Sequence, residues 1–493
     1  MGDLYSILEL PLILEEGQKN VIDKKIDCAK RIYNNMLSDN LKKYKEMIKT
    51  KEWRGLNDII REELSGAAKK SDRLKGAYAR KNEIMRANGF SDFGFRSQVL
   101  EYSKYYQKHI PAIVARLSVG MPMWAAFEKL FFGNGDMVHF KKFDDTMSLC
   151  SDNKSGIRFL QEESGRYYVF LSNRSAKAKE VKIYVKESLN MYEREMLFQA
   201  KIKKVCILKR LEKSKRSYYV QLTLQRAPFE KLDKEGNPLH PVREDRVGIA
   251  IWRGQLCAVS SKETYTVNLT PDAAEFEQRK QALSRELQHL REVNNQQNYN
   301  EDGTIKKGIV DKNGKRCRLY WNESNHYKRV KQELRELHRV HAEQKDLHQR
   351  QIVWKLLSMG NEFYLADTSF ITQKPEWDEE EPLPNSEYKK NRARRKSIQE
   401  AAPAALLTKL NLKLQGYGCE SIHRYKIPER LYWYHHEKGV SEEQFFPGED
   451  ILVNGKVINQ TLYRALLIRH YEEAKGYDQN GIEENWKAVS GLY

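Results

Sequence analysis

The stretch Asp245-Arg246-Val247-Gly248-Ile249-Ala250-Ile251-Trp252-Arg253-Gly254 decides the fold of the second half of this chain. Val247 to Ile251 is a short apolar run that opens into a glycine turn, which predicts a buried strand folding back as a hairpin. That hairpin runs from Val247 to Ser260, and Tyr265 to Leu269 gives a third strand. Thr270-Pro271-Asp272 then predicts a helix start, with Thr270 as cap and Pro271 at the first position. Phe276, Leu283, Leu287 and Leu290 form the apolar stripe of that helix. A loop from Asn294 to about Asn322 separates it from a second long helix, from about Tyr327 to Met359, which Gly360 ends. Strand Glu362–Phe370, helix Ala401–Leu414, strand Glu420–Tyr425 and helix Thr461–Tyr471 complete the pattern.

Working outward, the chain has 493 residues, enough for two to four domains. It holds 86 Lys+Arg against 68 Asp+Glu, a formal charge of +18. That balance favours a polyanionic partner, nucleic acid before a membrane surface. The 27 tyrosines lie largely among basic residues, a mixture that suits base stacking beside phosphate contacts. The six cysteines (28, 150, 206, 257, 317 and 419) include no CxxC pair, so no zinc ribbon is encoded. They read as reduced thiols of a cytoplasmic protein. No apolar run reaches the length of a membrane span.

The first half begins with an apolar strand, Tyr5–Leu14, interrupted at Pro11. Residues from about 17 to 131 read as helices, with Ile22, Ile26, Ala29, Ile32 and Met36 on one face. Within them Lys75, Tyr78, Arg80, Lys81, Arg86, Arg96, Tyr102, Lys104, Tyr105, Tyr106 and Lys108 interleave basic and aromatic groups, which predicts a nucleic-acid-facing surface. From Met137 the period changes to two, giving strands near 157–160, 167–171, 181–185, 202–208 and 218–224. With the first strand these predict an antiparallel barrel into which the helical segment is inserted. Arg226 to Asp245, with Pro228, Gly236, Pro238 and Pro241, reads as a linker. His338, His341 and His348 share one helix face, but no acidic ligand accompanies them, so packing or contact with nucleic acid is expected there rather than a metal.

Six segments carry a resemblance. They are Val-Gly-Ile-Ala-Ile at 247, Asn-Tyr-Asn-Glu-Asp-Gly-Thr-Ile-Lys-Lys-Gly at 298 and Ser-Asn-His-Tyr-Lys-Arg-Val at 324. The others are Phe-Tyr-Leu-Ala-Asp-Thr-Ser-Phe at 363, Lys-Ser-Ile-Gln-Glu-Ala-Ala-Pro-Ala at 396 and Leu-Tyr-Arg-Ala-Leu-Leu-Ile at 462. From about residue 246 to 470 the chain resembles TnpB, the RNA-guided nuclease of IS200/IS605-type transposons and a relative of small type V CRISPR effectors. The resemblance implies an α+β multidomain protein. Residues 1–15 and 133–230 would form a wedge β-barrel, residues 16–132 an inserted helical recognition lobe, and 231–245 a linker. A RuvC/RNase H-like α/β domain would span 246–475, with a helical insertion at 271–360, followed by a tail at 476–493.

In that family, acids from the first strand, the fourth strand and the last helix hold two Mg2+ ions at the scissile phosphodiester. Family members read Gly-Ile-Asp, Val-Glu-Asp and Arg-Asp-Leu-Tyr at those places. Here the three positions are Ala250, Ala366 and Thr461. Asp367 is one residue off and faces away by strand alternation, Asp245 precedes the strand, and Glu472 comes late in the helix. The zinc-ribbon cysteines are absent, with Trp433, Tyr434 and Pro447 in their region. The resemblance therefore implies a protein without catalytic residues, metal or structural zinc, similar to the TnpB-derived repressors of the TldR type. Its partners would be a guide RNA and duplex DNA with an adjacent motif. Such a protein would act in the bacterial cytoplasm, at the nucleoid, by occluding promoters. An adaptor that recruits a sigma factor, RNA polymerase or a transposition protein, a residual nuclease with atypical acids, and an RNA-packaging protein are the alternatives. Arg339, Lys345, Arg350, Lys389, Lys390, Arg392, Arg394, Arg395 and Lys396 would join the basic and aromatic residues at 75–108 in holding nucleic acid.

Overall fold

The computed structural model describes residues 4–65, 71–132, 135, 137–142, 147–172, 181–212, 215–226, 231–233, 235–252, 254–310, 316–317, 319–366, 400–427, 433–441 and 450–489. The chain divides into two compact units, Met1–Phe229 and Glu230–Tyr493.

In the first unit, strand β1 (Ser6–Ile13) alternates buried Leu8, Leu10 and Leu12 with exposed Ile7 and Ile13, the period of a half-buried strand. Helices α1 (Glu16–Lys49), α2 (Lys51–Ser65), α3 (Asp72–Ala87) and α4 (Asp92–Ser103) follow. Then α5 (Ala112–Ala115) runs through one π turn, Arg116–Gly120, into α6 (Met121–Phe132). The predicted stripe of α1 is buried as its spacing requires, from Ile22 to Met36. Phe90, Phe95, Phe127 and Phe131 pack as one aromatic cluster between α4 and α6.

Strands β2 (Leu149–Ser151), β3 (Ile157–Gln161), β4 (Tyr167–Leu171) and β5 (Val181–Val185) come next. The short helix α7 (Met191–Leu197) and strands β6 (Lys201–Glu212) and β7 (Lys215–Gln225) complete the unit. The sheet order is β2-β6-β7-β1-β5-β4-β3, and β3 returns beside β2 and β6, so the sheet is a nearly closed barrel. Pro11 does not interrupt β1. It lies where the strand passes from β7 to β5 as partner, and its carbonyl accepts from Lys186 N at 3.1 Å. A residue without an N–H is tolerated where the ladder changes partner.

One sequence expectation fails here. Cys150 and Cys206 are direct cross-strand partners on β2 and β6, with Cα atoms 4.1 Å apart, and they form a disulfide rather than two reduced thiols. Cys28, Cys257 and Cys419 are free.

In the second unit, β8 (Arg246–Trp252), β9 (Gln255–Val259) and β10 (Thr264–Asn268) form an antiparallel meander. Helices α8 (Ala273–Asn294) and α9 (Asn325–Met359) follow. Asp272, not Thr270, is the cap residue of α8, and its side chain makes no capping bond. By contrast, Ser324 caps α9 by accepting from Tyr327 N at 3.2 Å. Then come β11 (Glu362–Ala366), α10 (Pro403–Gly416), β12 (His423–Tyr425), a hairpin of β13 (Asp450–Val453) and β14 (Lys456–Asn459), and α11 (Gln460–Arg469). The sheet order is β10-β9-β8-β11-β12, with β8, β11 and β12 parallel. Residues 476–493, expected as a tail, contain helix α12 (Gln479–Val489), whose Ile482 and Trp486 are buried against α11 and β8 residues.

The three histidines of α9 have partners within their own unit. His341 stacks on Phe276 of α8 at 3.7 Å, His338 meets the same ring edge-on, and His348 hydrogen-bonds Asn268 O at 2.8 Å. Among the described residues no helix is long and apolar enough to cross a membrane.

Candidate functional site

The strand register builds the site. β11 runs beside β8 with Phe363 opposite Val247, Tyr364 opposite Gly248 and Leu365 opposite Ile249. The next step in that register brings Ala366 beside Ala250. Helix α11 crosses this edge closely, because Gly248 has no side chain to block it. A Cβ at Gly248 would lie 2.1 Å from Ala465 O and 2.6 Å from Arg469 N. Asn459 fixes the start of α11, its side chain accepting from Thr461 N at 2.9 Å and Leu462 N at 3.3 Å. The result is that Ala250, Ala366 and Thr461 line one cavity of about 30 Å³. They are 7%, 6% and 6% exposed. Residues 116 and 211 positions apart in sequence from Ala250 thus meet it at one point.

The walls of that cavity are apolar (Ile249, Leu365, Ile427, Leu467) and aromatic (Trp252, Tyr477), and among the described residues no carboxylate lines it. Among the described residues the charged group on its wall is a cation. Arg464 of α11 is buried, with its guanidinium 4.9 Å from the Trp433 ring and 5.8 Å from the Trp252 ring. Sequence reasoning missed Arg464, although it lies inside the quoted Leu-Tyr-Arg-Ala-Leu-Leu-Ile segment. Two divalent ions need several negative oxygens at one point. Among the described residues no three His, Cys, Asp or Glu side chains gather as a metal-binding group.

The other acids weighed from sequence are engaged elsewhere or lie outside the described residues. Asp245 accepts from Ser261 N at 3.0 Å and pairs with Arg469 at 3.2 Å. Burial works to raise its carboxyl, but the Ser261 hydrogen bonds and the Arg469 charge hold it below the usual range. Glu472 pairs with Lys475. Asp367 lies outside the described residues.

Between β12 and α11 the described residues include a packed polar knot. His436 is fully buried, Tyr463 Oη lies 2.8 Å from its Nδ1, and Glu483 lies 3.3 Å from its Nε2. Burial lowers the affinity of His436 for a proton, with Glu483 working in the opposite sense.

The predicted basic and aromatic surface is a mixture. Tyr105 is 90% exposed, and Lys75, Arg86, Lys104 and Lys108 are also exposed. Phe93, which the sequence reading passed over, is 82% exposed on α4. Other members face their own unit. Tyr102 donates to Asp39 at 2.9 Å, Tyr106 packs on the core, and Lys81 lies over the Trp53 ring while donating to Asn57. At the surface, exposed Arg80 pairs with Glu52 and Glu83, Arg96 with Asp92, and the exposed Lys75 with Asp72. Tyr78 is partly exposed. On α9, Arg339 bridges Glu336 and Glu343, and Arg350 pairs with Asp346. Burial lowers the pKa of Lys345. Exposed pairs such as Arg350–Asp346 contribute little to stability. Lys389, Lys390, Arg392, Arg394, Arg395 and Lys396 lie outside the described residues.

No protein-family model matches the chain, and no curated protein matches it. A solved structure, the cryo-EM structure of the Cas12f1–sgRNA–target DNA complex, is similar to it over 98% of each chain, with a TM-score of 0.42 and 10% sequence identity. Likeness at this level assigns neither family nor function.

Proposed function

We propose that this chain is an RNA-guided, sequence-specific DNA-binding protein of TnpB-like ancestry that does not cut. The observation that carries the proposal is the meeting of Ala250, Ala366 and Thr461 in one cavity whose described wall holds an arginine and no acid. The five-stranded order β10-β9-β8-β11-β12, with the first three strands antiparallel and the last two parallel to β8, agrees with an RNase H-like core. A nuclease of that type gathers acids at the place where this chain gathers two methyl groups and a hydroxyl.

The charge of +18 supplies the sequence-independent attraction to nucleic acid. Base pairing by a guide RNA would supply sequence, while the protein holds the heteroduplex by shape and backbone charge. The barrel and helices of the first unit would read a short adjacent motif, with exposed Tyr105 and Phe93 as stacking groups. Bound and uncut, the complex would occlude a promoter. The test is a gel shift and cleavage assay with copurified RNA and matching duplex in Mg2+. Guide-dependent binding without strand scission supports the proposal, and scission refutes it.

A further inference from the structure

A second cavity, of about 390 Å³, opens between α8, the loop that follows it and the first turn of α9. Its wall carries Arg291, Glu292, Tyr299 and Tyr327. The loop is held more tightly than a connector requires. Asn295, nearly fully buried, donates to Asn322 O at 3.1 Å and accepts from Asn322 N at 2.6 Å. Asn298, also buried, donates to Tyr320 O at 2.6 Å. These amides pin Trp321, whose ring lies 3.8 Å from the Arg291 guanidinium and edge-on to Tyr299. Tyr320, its neighbour, is 80% exposed on that pinned backbone.

We infer that this cavity binds one unpaired guanine base of a single-stranded nucleic acid; the inference rests on the proposed nucleic-acid reading. Aromatic rings and a flat guanidinium provide faces for stacking a base. Glu292 selects among the bases. Its carboxylate only accepts, and one oxygen already takes Gln288 Nε2 at 3.0 Å, which leaves acceptor sites open. Guanine alone among the four bases offers two adjacent donors, N1–H and the N2 amine, to a carboxylate. Tyr320 is placed to stack the adjoining base.

The test uses the full chain with its copurified RNA and, in a second arm, with matched single-stranded DNA. Ultraviolet cross-linking and mass spectrometry should give guanosine adducts at Tyr299, Tyr320 or Tyr327, and the adducted strand identifies the source. Replacing the cross-linked guanosine by inosine, which lacks the N2 amine, should weaken binding roughly tenfold in the parent and under about twofold in Glu292→Gln. Glu292 is not in the buried core, so the variant should keep its melting temperature. Cross-links confined elsewhere, or equal inosine sensitivity in both proteins, would overturn the guanine site alone. A protein that binds neither strand would remove the nucleic-acid reading and the site together.

Discussion

Replacing Gly248 by alanine should dislodge helix α11. The added Cβ would meet Ala465 O at 2.1 Å, whereas Cβ atoms essentially never approach other atoms closer than 3.0 Å, so the two backbones must part by roughly 0.9 Å. No rotamer can relieve this, because the obstructing atoms are main-chain oxygen and nitrogen. Neither partner can yield cheaply. β8 is a central strand paired on both sides, and α11 buries Leu462, Tyr463, Ala465 and Leu466. Overpacking of this kind costs about 3 kcal/mol. For a folded unit of this size that is a fall of roughly 6–12 °C in melting temperature. The assay is urea unfolding with a parallel thermal melt. Gly17→Ala is the control, because nothing lies within 4 Å of a Cβ at that helical position. A loss below about 1 kcal/mol in Gly248→Ala would refute the close crossing that brings Thr461 over Ala250.

Three further outcomes follow from the same geometry. Asn459→Ala removes the cap of α11 and should cost about 1 kcal/mol in urea unfolding; no change would mean the helix start is held by other contacts. The melting temperature of the free protein should not respond to Mg2+, since the cavity at Ala250 presents a cation and no described carboxylate; a rise of several degrees would contradict that. Burial first, then the charge of Arg469, pushes His470 down to about 4, against a hydrogen bond with Asn485 that works to raise it. With the folded value below the unfolded one, the histidine's contribution is whole above about pH 6.5 and is lost as pH falls toward 4. Urea midpoints at pH 7 and pH 5 should therefore differ less in His470→Gln than in the parent, and an equal difference would refute the assignment.

Much of the second unit was legible because its signals are local. An apolar run, a glycine turn and alternating hydrophobics fix β8 to β10, and a 3.6-residue stripe fixes α8. The meeting of Ala250, Ala366 and Thr461 followed from the resemblance, and the strand register places them together. What stayed hidden depends on contacts between distant residues. Cys150 and Cys206 are 56 positions apart, and only the β2–β6 pairing makes them neighbours. Pro11 reads as a strand breaker until the change of partner from β7 to β5 is known. The sequence 476–489 looks polar, and only the burial of Ile482 and Trp486 makes it part of a core. Arg464 sits in a segment read for its missing acid, so its charge went unweighed. Tyr102 and Tyr106 resemble Tyr105 in composition, and only the packing of α4 and of the turn Lys104–Tyr106 after it brings them against the core while leaving Tyr105 in solvent.

The central claim is an RNA-guided binder without a cutting centre. Sequencing the RNA that copurifies with the protein, then incubating that complex with the matching duplex in Mg2+ or Mn2+, tests it most directly. The account predicts a discrete RNA with a variable guide end, tight binding of the matched duplex, and intact strands. Heterogeneous RNA with no matched binding, or cleavage despite Ala250, Ala366 and Thr461, would contradict it.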